Sequence, residues 1–183
     1  MDVLRSKSLD RNSYNSGDWF NRIDWSYQDN YFGTGLPPAP DNGKDYALLQ
    51  PVLVNPSIRP KPADIAFARD VFRDLLKIRA SSTLFRLRSA DDIVARLRFF
   101  TTPPTVVGAR IDGAGYAGAN FAAVSYLINV DTVERTVDAP DMKGRTLRLH
   151  PAQVADARVK EARFDAATGR FTVPARTAVV FVE

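Results

Sequence analysis

The sequence predicts an α+β chain in which an irregular first part and one long helix precede an all-β antiparallel sandwich. Three observations support this fold class. The first sixty residues are rich in turn-forming residues and show no regular periodicity, and residues 62–80 carry apolar side chains at three- and four-residue spacing. From residue 84 the pattern changes to short alternating segments separated by turn signals. The change predicts two parts, residues 1–83 and residues 84–183.

The composition is that of a folded domain. Of the 183 residues, 45% are hydrophobic and 25% are charged, which is ordinary for globular proteins. No apolar run approaches the roughly 18 residues of a membrane span, and the first residues lack the apolar core of a signal peptide. We therefore expect no membrane partner, and the sequence does not indicate a compartment. Cysteine is absent, which excludes disulfides and thiolate chemistry.

The net charge of +4 is spread along the chain. Residues 1–83 hold 11 Lys and Arg against 10 Asp and Glu, and residues 84–183 hold 14 against 11. A nucleic-acid-binding protein usually concentrates its basic residues on one face or in one run. This scatter is typical of a solvated surface, and we expect no nucleic-acid partner.

The first part is a long loop that carries many aromatic residues. Loops of this length without regular structure are usually functional or are supported by another scaffold. Disordered segments are poor in aromatic residues, so we expect the loop to be ordered and its rings to be packed. The aromatic residues are Tyr14, Trp19, Phe20, Trp25, Tyr27, Tyr31 and Phe32.

The helix predicted over residues 62–80 begins with favourable signals. Pro62 suits a first helical turn, and Asp64 complements the positive end of the helix dipole. Ile65, Phe72 and Leu76 belong to its apolar face, and further apolar residues widen that face. Such a helix is expected to pack on more than one side.

The second part contains eight strand candidates. Short strands between turn signals are typical of a sandwich, and Thr168-Gly169 predicts a hairpin turn within residues 164–171. The candidates are Leu84–Leu87, Ile93–Phe99, Thr105–Ile111, Ala122–Val130, Glu134–Val137, Thr146–Leu149, Arg170–Val173 and Thr177–Val182.

The sequence offers little for a metal or cofactor site. His150 is the only histidine, and without cysteine it could build a zinc site only with several carboxylates. No G-x-S-x-G motif accompanies it for a serine hydrolase triad. We interpret His150 as structural, and we expect no metal site and no cofactor.

Four carboxylates, Asp10, Asp18, Asp24 and Asp29, lie in the aromatic loop. Paired carboxylates beside aromatic rings are the arrangement used in glycoside hydrolysis. However, Asp among turn formers commonly accepts hydrogen bonds from its own backbone, and all three glutamates lie in the second part. The composition favours structural aspartates over ligand-binding ones, and we expect no complete catalytic pair.

The loop also carries a family resemblance. The nineteen-residue run Val3-Leu-Arg-Ser-Lys-Ser-Leu-Asp-Arg-Asn-Ser-Tyr-Asn-Ser-Gly-Asp-Trp-Phe-Asn21 closely resembles pullulanase-type alpha-1,6-glucosidases of the alpha-amylase superfamily. These enzymes include bacterial pullulanases and plant limit dextrinases. The match continues through residues 27–30, 33–37, 73–85 and 169–182.

The resemblance implies a place for each part of the chain. In that family the Leu-Arg-Ser-Lys run follows the eighth strand of a (β/α)8 barrel. Residues 1–83 would then be the end of the catalytic barrel, with a long loop and the last barrel helix. Residues 84–183 would be the C-terminal β-sandwich domain. The family's catalytic residues lie on earlier strands and match no position here, so the expected partner is the missing N-terminal barrel.

The resemblance also implies a substrate and candidate contacts. Members of the family hydrolyse alpha-1,6-glucosidic linkages in pullulan, starch or glycogen dextrins. Loops at the C-terminal face of such barrels line the active site, so Arg11, Asn15 and Asp18 are expected to hydrogen-bond an alpha-glucan and Trp19 to stack on a sugar ring. Alternatively, Arg11 pairs with Asp18 to shape the loop, and Trp19 belongs to a core.

Two other functions remain open. The chain could be a non-catalytic module that binds glucan on its β-domain, although only Tyr116 and Tyr126 could serve as platforms there. It could also be purely structural, burying apolar surface of the barrel. The structural hypothesis predicts an exposed apolar surface around Phe72 and Leu76 in the isolated chain.

Overall fold

A computed structural model describes residues 2–183 and divides the chain into two compact units. The first unit ends at Arg73, and the second is Asp74–Glu183. The secondary structure is α+β with antiparallel sheets, as predicted. No helix among the described residues is long and apolar enough to cross a bilayer.

The first unit is irregular only in part. It contains helices α1 (Gly17–Asn21), α2 (Ala39–Asn42) and α3 (Tyr46–Leu53), with 3-10 turns at Ser13–Asn15, Gly43–Asp45 and Pro56–Ile58. Helix α3 was not predicted, because Pro51 lies inside it. Tertiary contacts support this helix, since Leu53 is buried and the Tyr46 hydroxyl donates to the Pro37 carbonyl at 2.6 Å.

The predicted long helix is confirmed as α4 (Pro62–Ser81), which contributes residues to both units. At its start the Asp64 carboxylate accepts a hydrogen bond from the Lys61 backbone N–H at 2.8 Å. Along the helix Ile65 and Ile78 are buried, whereas Phe72 and Leu76 are 43% and 49% exposed. Much of the apolar surface of α4 therefore faces solvent in this chain.

At the start of the second unit the predicted strand Leu84–Leu87 is wrong, and the predicted strand Ile93–Phe99 is confirmed only over Leu97–Phe99. Thr83–Arg86 forms a 3-10 turn, and Ala90–Arg96 forms helix α5. The Ser89 hydroxyl caps α5 by accepting from the Asp92 N–H at 3.0 Å, and Asp91 and Asp92 occupy the first turn. Serine at the N-cap followed by acidic residues stabilises a helix start, and here this signal outweighed the apolar alternation of Ile93, Ala95 and Leu97.

The remaining strands form two antiparallel sheets. The larger sheet has the order β1-β2-β3-β8-β5, and the smaller one has the order β4-β7-β6. The strands are β1 (Leu97–Phe99), β2 (Val106–Asp112), β3 (Ala123–Asn129), β4 (Arg135–Asp138), β5 (Arg148–Leu149), β6 (Arg163–Asp165), β7 (Arg170–Val173) and β8 (Thr177–Val182).

The predicted hairpin is confirmed as the β6–β7 pair, in which Phe164 lies opposite Phe171. Gly169 adopts φ +75° at its turn. A Cβ atom at this position would lie 2.4 Å from the Ala139 carbonyl oxygen, so only glycine fits.

Two apolar clusters stabilise the second unit, one on each face of the larger sheet. Alternation along β8 sends Val179 and Phe181 into the cluster shared with the smaller sheet, and Val180 and Val182 into the other. The second cluster also includes Ile78 of α4 and Leu84. The smaller sheet supplies Val137, Phe171 and Val173 to the first cluster, and this two-sheet core is the predicted sandwich.

Candidate functional site

One side of the aromatic loop forms an open polar depression of about 480 Å³, which we call the cleft. Two cations and several hydrogen-bonding side chains line it, and no carboxylate is among the lining residues. These residues are Lys7, Arg11, Asn12, Ser13, Tyr14 and Asn21. A cavity of this size is within the range of small-molecule sites. Its hydrogen-bonding walls suit a ligand rich in hydroxyl groups.

Asn42 fixes the backbone on one side of the cleft. Its side chain is 2% exposed and makes three hydrogen bonds. The Asn42 Oδ1 accepts from the Arg11 N–H at 3.0 Å, and the Nδ2 donates to Asp10 Oδ1 at 2.9 Å and to the Pro38 carbonyl at 3.0 Å. Because all three are made in a buried position, Asn42 locks the Asp10-Arg11 turn against α2.

Asn21 and Lys7 fix the other side of the cleft around Ser13. The Asn21 Nδ2 donates to the Ser13 carbonyl at 2.7 Å, and Lys7 Nζ donates to the Ser13 hydroxyl. Arg5 in turn donates to the Asn21 carbonyl and to Asn21 Oδ1, at 2.7 and 3.1 Å. The 3-10 turn Ser13–Asn15 is therefore held by two side chains, and Arg5 in turn holds one of them.

Asp10 shapes this loop. Its carboxylate accepts from the Asn12 N–H, from Asn42 and from the Ser16 hydroxyl. Burial acts to raise the pKa of Asp10, but the hydrogen bonds from Ser16, Asn42 and Asn12 outweigh it and lower the pKa. Asp10 is therefore a charged structural acceptor.

Asp24 and Asp29 also have structural partners. Asp24 accepts from Ser26, from the Gln28 N–H at 2.8 Å and from the Asp29 N–H at 2.8 Å. The hydrogen bond from the Ser26 side chain, with those backbone donors, lowers the pKa of Asp24 to about 2. Asp29 pairs with Arg59 at 2.7 Å. Asp10, Asp24 and Asp29 are thus structural hydrogen-bond acceptors, as the composition of the loop favoured.

The predicted contacts Arg11, Asn15 and Asp18 have exposed side chains. Only Arg11 of the three lines the cleft. Among residues 2–183 no ion pair joins Arg11 to Asp18, and no hydrogen bond uses the Arg11 guanidinium or the Asp18 carboxylate. The structure therefore leaves these polar groups open to a ligand and does not support the predicted pairing of Arg11 with Asp18.

Trp19 is not among the residues that line the cleft, and one of its faces is covered. The Arg22 guanidinium is 4.0 Å from the Trp19 ring centroid and 3.8 Å from that of Tyr31, so it lies between the two rings. The Trp19 Nε1 donates to the Thr34 carbonyl at 3.3 Å. The residue remains 54% exposed. Trp19 is thus neither a core residue nor a fully free platform.

Five residues that line the cleft were not predicted from the sequence, namely Lys7, Asn12, Ser13, Tyr14 and Asn21. Their side-chain types carry no specific signal in a turn-rich segment. The available hint was position, because all five fall within the same run of residues as Arg11.

The second unit holds a cavity of about 320 Å³, but its lining is mostly apolar and consists of Leu75, Ile78, Arg79, Phe85, Tyr126, Ile128, Ala178, Val179 and Val180. Tyr116 and Tyr126 both pack against the second apolar cluster, and the Arg96 guanidinium lies 4.7 Å from the Tyr116 ring centroid. Within the described part of the chain, no group of three His, Asp or Glu side chains could hold a metal ion. The contacts of the two tyrosines disfavour a sugar platform on the β-domain.

His150 is buried in the second unit. Its Nδ1 accepts from the Ala152 N–H at 3.1 Å, and its Nε2 lies 2.9 Å from the Ser81 hydroxyl, which itself donates to the Ile78 carbonyl. These bonds place the ring proton on Nε2, and burial lowers the pKa of His150.

Comparisons with known proteins agree on the family. A family model described as alpha-1,6-glucosidases, pullulanase-type, C-terminal, matches residues 27–183. The chain is 45% identical over 195 residues to chloroplastic pullulanase 1 of Arabidopsis thaliana, covering all of this chain and 20% of that protein. It is 31% identical over 189 residues to a pullulanase of Klebsiella pneumoniae, covering 98% of this chain and 17% of that protein.

Solved structures give the same result. A pullulanase of Klebsiella pneumoniae complexed with maltotriose superposes with a TM-score of 0.84 at 30% identity, covering 99% of this chain and 18% of that one. PulA from Klebsiella oxytoca gives a TM-score of 0.85 at 30% identity, with 99% and 18% coverage. The chain thus spans about a fifth of its relatives' length. It belongs to the pullulanase-type alpha-1,6-glucosidases and corresponds to their C-terminal region.

Proposed function

We propose that this chain supplies substrate contacts and a supporting β-domain to an enzyme that hydrolyses alpha-1,6-glucosidic linkages in pullulan or branched dextrins. Residues 1–83 would complete a (β/α)8 barrel, and residues 84–183 would form its C-terminal domain. Retaining hydrolysis of this kind requires a nucleophilic carboxylate and an acid/base carboxylate. Both would come from the N-terminal barrel.

The cleft is the observation that carries the proposal. Its Arg11 guanidinium has no partner within residues 2–183, although the Arg11 backbone is held by buried Asn42. Because the Arg11 backbone is already held, only its side chain has to be ordered when it binds a ligand. Arg11 would hydrogen-bond sugar hydroxyls first, with Asn15, Asp18 and the open face of Trp19 contacting neighbouring parts of the glucan.

Maltotriose binding tests the proposal directly. Titration of the 183-residue chain with maltotriose, followed by isothermal calorimetry or NMR, is expected to show saturable binding. Arg11→Ala should weaken it about tenfold, since hydrogen bonds to a charged donor contribute about 1.5–3 kcal/mol. Arg59→Ala is the matched control, because Arg59 pairs with Asp29 outside the cleft. Absence of saturation with the unsubstituted chain would contradict the proposal.

The proposal also predicts that the chain alone does not hydrolyse pullulan. Of the four aspartates beside the aromatic rings, Asp10, Asp24 and Asp29 accept structural hydrogen bonds, and only Asp18 has an open carboxylate. One carboxylate cannot serve both as nucleophile and as acid/base. Reproducible release of maltotriose from pullulan by the purified chain would refute this prediction.

The apolar surface of α4 supports the second half of the proposal, a structural role against the barrel. Phe72, Leu75 and Leu76 are each more than 40% exposed, and contiguous exposed apolar side chains commonly mark a protein interface. In isolation this surface should drive concentration-dependent self-association, measurable by analytical ultracentrifugation. Leu76→Lys should reduce the association, and Val54→Lys, at an exposed site outside α4, should not. A chain that stays monomeric at all concentrations would count against this role.

A further inference from the structure

Tyr14 is unusual among the aromatic residues of the loop. Its side chain is 87% exposed and lines the cleft beside Arg11 and Asn12. Burial of this ring would contribute free energy to folding, whereas the exposed ring contributes none. Nothing in the packing of the described residues explains an aromatic side chain at this position.

The backbone beneath Tyr14 is fixed. Ser13, the preceding residue, is 7% exposed, and its carbonyl accepts from Asn21 Nδ2 while its hydroxyl accepts from Lys7. The Ser16 N–H closes the turn on the Ser13 carbonyl at 3.3 Å, and the Ser16 hydroxyl is bonded to Asp10. Only the two side-chain torsions of Tyr14 then remain to be ordered when a ligand binds, so the entropic cost is small.

The chemistry of the cleft matches a sugar. A pyranose presents an apolar C–H face and a rim of hydroxyl groups, so it is bound well by an aromatic ring next to hydrogen-bonding side chains. Tyr14 supplies the ring, and Arg11 and Asn12 supply polar groups next to it. Trp19 is less suited, because Arg22 already covers one of its faces.

We propose that Tyr14 is the principal sugar-stacking residue of the cleft and holds one glucosyl unit of an alpha-glucan against Arg11. This inference rests on the proposed function and refines it by naming a residue other than the Trp19 suggested by the sequence.

Three variants of the 183-residue chain test the inference, each titrated with maltotriose. Tyr14→Ala should raise the Kd about tenfold, whereas Tyr14→Phe, which keeps the ring, should stay within about twofold. Trp25→Ala is the matched control, since Trp25 is 70% exposed in the same unit but does not line the cleft. Its Kd should also stay within about twofold. NMR shifts of the Tyr14 ring protons in the unsubstituted chain should saturate with the same Kd.

The outcomes separate the two proposals. If Arg11→Ala weakens binding but Tyr14→Ala does not, and the Tyr14 ring signals stay in place, the stacking role is overturned and the cleft remains the binding site. If Tyr14→Phe loses as much affinity as Tyr14→Ala, the hydroxyl binds the sugar and the stacking role is likewise overturned. If the unsubstituted chain does not bind maltotriose, the proposed function fails together with this inference.

Discussion

The two units of this chain are stabilised by different forces. Among residues 2–183, twenty of the buried hydrophobic residues lie in the second unit, whereas the first contains only Val3, Leu53 and Ile65. The first unit relies on polar side chains bonded to the backbone, such as those of Asn21 and Asn42. Net stabilisation from a typical hydrogen bond is about 1 kcal/mol, less than from burying a large apolar side chain.

The difference indicates which unit depends on a partner. A sandwich with two apolar clusters has the core that an independently folding domain needs. The first unit, with three buried hydrophobic residues, has a much smaller core of its own, which agrees with the proposal that it belongs to a barrel. The polar bonds of the first unit define the positions of side chains around the cleft, and they contribute less to stability. The predictions below test this contrast.

The largest loss of stability is expected from a substitution in the core of the second unit. Phe171 is fully buried, with ring centroids of Phe164 at 4.7 Å and of Phe181 at 5.4 Å. Phe171→Ala should lower the free energy of unfolding by about 3–5 kcal/mol, because it removes buried surface and leaves a cavity. Denaturant unfolding followed by circular dichroism measures the loss. Phe99→Ala, at a 66% exposed position, should change it by less than about 0.5 kcal/mol.

A smaller effect is expected from Asn42 in the first unit. Asn42→Leu leaves the Arg11 N–H without its acceptor and removes one donor from the Asp10 carboxylate, at a cost of about 1–3 kcal/mol. Both tryptophans lie in the first unit, so their fluorescence reports on its unfolding. In urea unfolding followed by tryptophan fluorescence, the midpoint of Asn42→Leu should shift to a lower urea concentration. Asn15→Ala, which removes an exposed side chain, should leave the midpoint in place, and equal midpoints for both variants would contradict the role of Asn42.

As the pH is lowered, the second unit should begin to lose stability at a higher pH than the first unit. Burial lowers the pKa of His150 in the folded state, so protonation favours the unfolded state, where the pKa is about 6.5. The stability that neutral His150 contributes is complete above pH 6.5 and falls as the pH drops below that value. Unfolding by circular dichroism at pH 7.5 and pH 5.5 should show this loss. His150→Gln should reduce the difference between the two pH values, and an unchanged difference would argue against His150 as its source.

The smallest effect is expected at Asp24. The hydrogen bond from Ser26 and the backbone donors lower its folded-state pKa to about 2, below the unfolded value of about 3.9. The contribution of the Asp24 carboxylate to the free energy of unfolding is complete above about pH 4 and is lost as the pH falls toward 2. Tryptophan fluorescence of Asp24→Asn should therefore show a shallower acid dependence between pH 4 and pH 2. A dependence as steep as in the unsubstituted chain would contradict this role.

Patterns among neighbouring residues correctly predicted the elements that depend on neighbouring residues. Helix α4, the β6–β7 hairpin, six of the strands and the family followed from periodicity, turn residues or one peculiar run. The errors arose where two local signals competed. In α5 the Ser89 cap outweighed alternating apolar residues, and in α3 tertiary contacts of Leu53 and Tyr46 overcame the unfavourable Pro51.

The amino-acid order was thus sufficient to define the sandwich, the long helix and the membership in a family of debranching enzymes. It did not define which side chains form the cleft. Asn42 reaches Asp10 across thirty-two positions, and Arg5 reaches Asn21 across sixteen. Such bonds depend on how distant segments meet, and no periodicity of neighbouring residues records that. Only the folded chain could place Tyr14 in the cleft and show that Arg22 already covers one face of Trp19.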